Sequence, residues 1–167
     1  HLKDTLLSAI SISLFLNISK DNIEKSLNNF HLPNGRGEKV IKYNLEIIDD
    51  SYNANPESVK LAIERFNDLN TKGKKIFVFG DMLELGEEAI ISHKNISEIL
   101  NKSNINILLT YGDLSKFTFE NLSSSYISKR HFTNIDRLKK HIHKIYKKGD
   151  LIYLKGSRSM KLERIYK

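Results

Sequence analysis

Cysteine is absent from this 167-residue chain, which excludes disulfide frameworks, cysteine-ligated zinc, iron–sulfur clusters and thiol nucleophiles. A reducing compartment fits that absence, and a cytoplasmic location is expected. Long apolar runs are missing too: nothing approaches the ~18 apolar residues needed to span a bilayer. The nearest thing to a leader peptide, Thr5 to Ile18, has one lysine ahead of it offset by Asp4, three serines and no small-residue cleavage pattern. Its Leu6, Ile10, Leu14 and Ile18 recur every four residues, as in an amphipathic helix. A GxxxxGK[ST] loop and a glycine-rich dinucleotide fingerprint are also lacking, so the usual sequence cradles for phosphate are not here. Such a chain could assist a nucleotide reaction but hardly run one alone. The first residue is histidine rather than methionine, and an upstream segment is expected.

The residues that are present describe a chain that folds in water. Hydrophobic residues make up 40%, and 27 Lys and Arg stand against 20 Asp and Glu, a net charge of +7. The length allows one well-buried domain, or one domain plus an appendage, and is too short for two large ones. The basicity is local. Residues 128–167 carry thirteen cations against Asp136, Asp150 and Glu163, a net of +10, whereas residues 1–127 carry a net of −3. Much of the excess lies on a predicted helix from Thr133 to Lys148, with Ile135, Leu138, Ile142 and Ile145 inward and Lys139, Lys140, Lys144 and Lys147 outward. No stacking aromatics, helix-turn-helix signature or zinc spacing accompany it, so nucleic acid is not an expected partner. A solvated helix face is the simpler reading, with attraction of a small phosphorylated substrate as a by-product.

Two helices open the chain, the second capped by Ser19 or Asp21 and running to about Asn29 with Ile23 and Leu27 inward. The breaker cluster His31-Leu32-Pro33-Asn34-Gly35-Arg36-Gly37 then marks a boundary, after which the apolar period turns strand-like. Strands or a hairpin around Asn44 lead to a helix capped by Asn55 with Pro56 at its first position and Val59, Ala62, Ile63, Phe66 and Leu69 on one face. Strand 76–79, helix 90–100, strand 105–109, a weak strand ending at Phe132, the basic helix, strand 151–154 and a short helix over 159–165 follow. This alternation predicts an α/β fold with a mostly parallel sheet flanked by helices, in which ligands gather at the carboxyl ends of strands. Three loops belong at that edge: Asp49 to Pro56, Gly80 to Gly86, and Lys155 to Met160.

Each loop has a chemical reading and a bland one. In Asp49-Asp50-Ser51-Tyr52-Asn53-Ala54-Asn55-Pro56 nearly every residue can hydrogen-bond; a helix amino end with an Asp at a strand end suits a nucleotide, while the same residues also make turns and caps. Asp81, with His93 further along the next helix, could bind a substrate amine or carboxylate, or could be loop and helix-surface residues. Lys155-Gly156-Ser157-Arg158-Ser159-Met160-Lys161 joins cations, hydroxyls and a glycine in a way that suits a carboxylate or phosphate, or forms a basic turn. No metal-ligand spacing occurs.

Taken in order, GRGE at 35–38, DDSYNANP at 49–56, FGDMLELGEE at 79–88 with His93, and KGSRSMKLE at 155–163 resemble the Mur ligases of peptidoglycan synthesis over essentially the whole chain. The resemblance implies that residues 1–35 are the closing helices of a central ATP-binding domain and 36–167 a Rossmann-like carboxyl-terminal domain. It implies an ATP-dependent amide ligase adding D-alanyl-D-alanine to UDP-N-acetylmuramoyl-tripeptide through an acyl phosphate, monomeric, with ATP and Mg2+ as cofactors and the Mg2+ ligands upstream. It places Arg36 at the ATP phosphates, Asp50 at the ribose, and Tyr52, Asn53 and Asn55 in the same nucleotide-facing loop. Asp81, His93, Lys155, Ser157 and Arg158 then form the dipeptide side, and no residue of the chain is assigned to catalysis or to a metal. One departure stands at the start, where the family's His-Asn-x-x-Asn is replaced by His1, Leu2 and Thr5, which removes the amides expected near adenine. Two other readings accompany this one: a free-standing α/β module for nucleotide or dipeptide, and a polyanion-binding protein using the basic carboxyl-terminal 40 residues.

Overall fold

The computed structural model describes residues 2–30 and 33–167. His1 and the side chain of Leu2, where the departure from the family pattern begins, and His31 and Leu32 of the breaker cluster lie outside the described residues. Two compact units divide between Leu32 and Pro33. The first holds α1 (Leu2–Phe15) and α2 (Lys20–Asn28), joined through Asn17 in the left-handed region, with Ser19 as the α2 N-cap accepting from the Asn22 N–H. The expected amphipathic row is only partly on the helix: Leu6, Ile10 and Leu14 fall within α1, Ile18 lies beyond its end, and exposed Leu7, Ile12 and Phe15 spread the apolar surface around the helix instead of gathering it on one face. Within this unit no described side chain is buried, and of the two α2 residues expected inward Ile23 is half-buried while Leu27 stays exposed. Two short helices have too little facing surface to cover each other's apolar rows.

The second unit begins with the hairpin β1 (Glu38–Lys42) and β2 (Leu45–Asp50), turned by Tyr43 and Asn44 with φ of 50° and 63°. Positive φ at both turn positions gives the backbone twist that matches paired strands. Then follow α3 (Pro56–Asp68), β3 (Lys75–Gly80), α4 (Ala89–Asn101), β4 (Ile107–Tyr111), α5 (Ser115–Asn121), β5 (Ser128–Phe132), α6 (Ile135–Ile145) and β6 (Leu151–Lys155). The sheet order is β1-β2-β6-β3-β4-β5, with β1 antiparallel and the other pairings parallel. The last strand in sequence therefore lies between the second and third.

Period-two alternation sorts the strand residues onto two covered faces, as a parallel sheet requires. Ile48, Phe77, Phe79, Leu108 and Tyr153 pack under α3 and α4 through Val59, Ile63, Phe66, Ile96 and Leu100. Ile47, Ile76, Val78, Leu109, Ile152 and Leu154 pack under α6 and the chain end through Leu138, Ile142, Leu162 and Ile165. The α3 amino end is fixed locally by a reciprocal capping box between Asn55 and Ser58, with Pro56 in the first turn.

Four details differ from the sequence reading. The 105–109 strand is shifted to Ile107–Tyr111. The basic helix is shorter than 133–148, because Asn134 caps its start and Tyr146 leaves the helix in an extended conformation, its hydroxyl accepting from the Glu46 N–H. The terminal helix is two 3-10 turns, Arg158–Met160 and Leu162–Ile165, separated by Lys161 in the left-handed region. Helix α5 was not expected at all; its origin lies in the loop after β3.

Candidate functional site

Strands β2, β6 and β3 are adjacent and parallel, so the loops leaving their carboxyl ends emerge side by side. Glycine lets two of them meet: a Cβ on Gly156 would lie 2.9 Å from Leu162 Cδ1 and 3.1 Å from Gly80 Cα. The 33–37 segment is tied to the β2 loop by Tyr52 N–H donating to the Gly35 carbonyl and Gly37 N–H donating to that of Asp49.

The β2–β6 register places Asp50 opposite Lys155. Lys155 is buried, and its ammonium donates to Asp50 Oδ2 at 3.1 Å, the Asn53 carbonyl at 2.8 Å and the Asp50 carbonyl at 3.4 Å. An ammonium has three donors, and these partners occupy them. Tyr153 also donates to Asp50 Oδ2, and burial next to that carboxylate pushes its hydroxyl pKa up. Two residues expected at opposite ends of the site, Asp50 at the nucleotide and Lys155 at the dipeptide, thus form one internal pair.

Asp81 and His93 are likewise buried and committed to backbone partners. Asp81 Oδ1 accepts from the Leu114 and Ser115 N–H groups at 3.1 and 2.7 Å, so it caps α5 from across the sheet edge. His93 Nε2 accepts from Met82 N–H at 3.0 Å, which leaves Nδ1 as the donor to the Ala89 carbonyl at 2.7 Å. In this placement both residues shape the loop after β3 rather than face an open surface. Burial lowers the His93 pKa, outweighing its hydrogen bond to Ala89 and the nearby Asp81 charge. His131 and His141 shift the same way, again chiefly through burial. Imidazoles with folded pKa values below the unfolded value near 6.5 contribute stability that is complete above that pH and lost as pH falls through it. Urea midpoints are therefore expected to fall between pH 7 and pH 5, with the His93 ring protons titrating below the ordinary imidazole range; a His93 titration at or above 6.5 would refute the assignment.

The open part of the site is a cleft of about 460 Å³ lined by Tyr52, Asn53, Ser157, Arg158, Lys161 and Glu163, among others. Ser157 Oγ accepts from Leu83 N–H, drawing two of the loops together beneath it. Arg36 is exposed, its guanidinium 4.1 Å from the Tyr52 ring centroid, a cation–π contact that carries the 33–37 segment to the cleft rim. Asn53 Oδ1 accepts from Ala54 N–H and Asn55 caps α3. Of the ten predicted site residues, Tyr52, Asn53, Ser157 and Arg158 line the cleft, Arg36 abuts it, Asp50 and Lys155 pair behind Asn53, and Asp81, His93 and Asn55 hold backbone. Sequence reasoning missed Glu163, which closes the KGSRSMKLE run five residues after Arg158 and pairs with it at 3.2 Å. Glu84, which from spacing alone is a conceivable acid–base partner of Asp81 but no more so than a loop cap, also lines the cleft, with φ 64°.

Residues 35–158 match the family model described as Mur ligase, glutamate ligase domain. The chain belongs to the Mur ligase family. It is similar to the UDP-N-acetylmuramoyl-tripeptide–D-alanyl-D-alanine ligase of Bacillus subtilis, 35% identical over 164 residues that make up 96% of this chain and 36% of that protein. The ligase of the same name from Buchnera aphidicola is 36% identical over 98% of this chain and 35% of its own length. Among solved structures, the MurF ligase of Thermotoga maritima in complex with ADP superposes with a TM-score of 0.74 at 30% identity, covering 93% of this chain and 34% of that one. The chain thus spans about a third of the length of these Mur ligases. Within the family model fall Arg36 and the three motif loops through Arg158; Lys161 and Glu163 lie beyond its end.

Proposed function

We propose that this chain is the carboxyl-terminal part of an ATP-dependent amide ligase that joins D-alanyl-D-alanine to UDP-N-acetylmuramoyl-tripeptide in the cytoplasm, working as a monomer. Residues 1–35 would close its central ATP-binding domain and 36–167 would form the domain that brings up the dipeptide. The observation that carries this reading is the convergence of the motif loops on one cleft in a chain 35% identical to such a ligase. The exposed apolar residues of α1 add to it, since they need a cover that neither helix provides.

ATP, when bound, supplies the phosphoryl group that activates the tripeptide carboxylate. The exposed Arg36 guanidinium suits its phosphates, and its stacking on Tyr52 limits the directions in which it can point. The Lys155 pair holds Asp50 at the strand end, where a carboxylate can accept from ribose hydroxyls. Arg158 and Lys161 give the cleft a cationic wall for the carboxylate of the incoming dipeptide. Such work is positioning and charge complementarity, the main contributions available to a domain that carries no phosphate loop. The Mg2+ ligands would lie in the upstream part, as the resemblance to Mur ligases implies.

The test is phosphate release by the full-length ligase containing this chain. Release is expected to require both UDP-N-acetylmuramoyl-tripeptide and D-alanyl-D-alanine, and Arg36→Ala is expected to raise the KM for ATP roughly 10-fold or more, the scale of one charge-assisted phosphate contact. Release that ignores the dipeptide, or salt-sensitive binding of nucleic acid through the cleft lined by Arg130, Arg137, Lys140 and Lys144, would turn the reading toward a polyanion binder.

A further inference from the structure

Glu163 is a cleft side chain whose chemistry the proposed reading leaves unused. It follows the left-handed turn at Lys161, which lifts it back toward the β6 loop, and it is 9% exposed. One oxygen, Oε1, pairs with Arg158. The other, Oε2, is the buried side-chain polar atom that finds no hydrogen-bond partner among the described residues. A buried carboxylate oxygen without a donor is unfavourable, and in native structures such an atom is completed by water, an ion or a ligand.

The surroundings define the missing donor. Glu163 lines the same cleft as Arg158 and Lys161, so an acid stands among cations whose heads reach solvent; the Arg158 side chain is 62% exposed. A divalent metal would need further oxygen or imidazole ligands, and no cluster of three is found among the described residues. A single carboxylate oxygen beside two cations complements a small zwitterion: ammonium to Glu163, carboxylate to Arg158 or Lys161.

We infer that Glu163 Oε2 receives the protonated amino group of the incoming D-alanyl-D-alanine and thereby fixes which end of the dipeptide faces the activated carboxylate. The inference rests on the ligase reading and adds to it a residue outside the stretch that matches the family model. Glu163 is thus a binding residue for the amine; in the free domain Oε2 is shielded from solvent while Arg158 holds Oε1, so the carboxylate turns toward the cleft when the dipeptide enters.

The experiment uses the full-length ligase with Glu163→Gln and Glu163→Asp, D-alanyl-D-alanine as substrate, and N-acetyl-D-alanyl-D-alanine, which has no ammonium, as inhibitor. Glu163→Gln is expected to raise the KM for the dipeptide roughly 10- to 100-fold, the scale of one charge-assisted hydrogen bond, with the KM for ATP unchanged. The acetylated inhibitor is expected to bind wild type and variant equally. Should Glu163→Gln fail to fold, Glu163→Asp, which keeps the charge, carries the test with a several-fold rise confined to the dipeptide KM. An unchanged dipeptide KM, or a parallel loss for substrate and acetylated inhibitor, overturns the role of Glu163 and leaves the ligase reading standing. A wild-type enzyme that does not use D-alanyl-D-alanine overturns the ligase reading itself, and this inference with it.

Discussion

Lys155→Met is expected to lower the unfolding free energy by about 3 kcal/mol, the lower end of the range for breaking one side of a buried ion pair. Methionine fills a similar volume but takes the ammonium donor from the carbonyls of Asp50 and Asn53 and the countercharge from Asp50 Oδ2, which is left with the Tyr153 hydroxyl. Asp50 keeps partial access to water, with its side chain 23% exposed, which is why the lower end applies. For a domain of this size the melting temperature should drop by roughly 10 °C. The cycle is informative because the two partners sit opposite each other on neighbouring strands. Asp50→Asn combined with Lys155→Met is expected to cost clearly less than the two single changes added together, since the charge left without a partner is then gone. Additive losses would show that the pair does not hold the β2 and β6 ends together.

Gly112→Ala should be at least as damaging, by about 3 kcal/mol or more, and in a different way. The residue adopts φ +116°, a conformation that L side chains rarely accept, and a Cβ there would collide with the carboxyl group of Asp81. That carboxylate cannot move aside freely, because it accepts the first N–H groups of α5. The expected result is loss of α5 along with global stability. Fast amide exchange over 115–121, beyond that of the rest of the sheet, would report it. Wild-type protection in α5 with an unchanged melting temperature would refute the assignment of Asp81 as its cap.

The same contact explains why α5 could not be read from the sequence. Its seven residues, Ser115–Asn121, have no capping side chain of their own; Leu114 stands where a cap would be. The cap comes from Asp81, more than thirty residues earlier, and only the β3–β4 pairing brings it there. By contrast α3 carries its signal locally, in Asn55, Pro56 and Ser58, and the β1–β2 turn in its own two residues. The central strands were legible as apolar runs, since a parallel sheet covered on both faces demands them. Which strands are neighbours is decided by packing across the molecule, and so the Asp50–Lys155 pair was invisible until β6 was placed beside β2. The cleft residues were legible for a mixed reason: their types and loops followed from strand ends, their grouping from family resemblance. Glu163 stood inside the KGSRSMKLE run but was given no role, because the left-handed turn at Lys161 that returns it to the cleft breaks what looked like a continuous helix.

The position of β6 has a consequence for how the molecule is made. During synthesis the β1–β2 hairpin and the β3–β4–β5 half emerge long before the strand that must lie between them, so neither can join the other until residues 151–155 leave the ribosome. Until then β2 and β3 each offer an unpaired apolar edge, the kind of surface that chaperones cover and that aggregates recruit. A premature stop anywhere before Leu151 would leave two half-sheets with nothing to bridge them, so truncated products are expected to be degraded far faster than the complete unit.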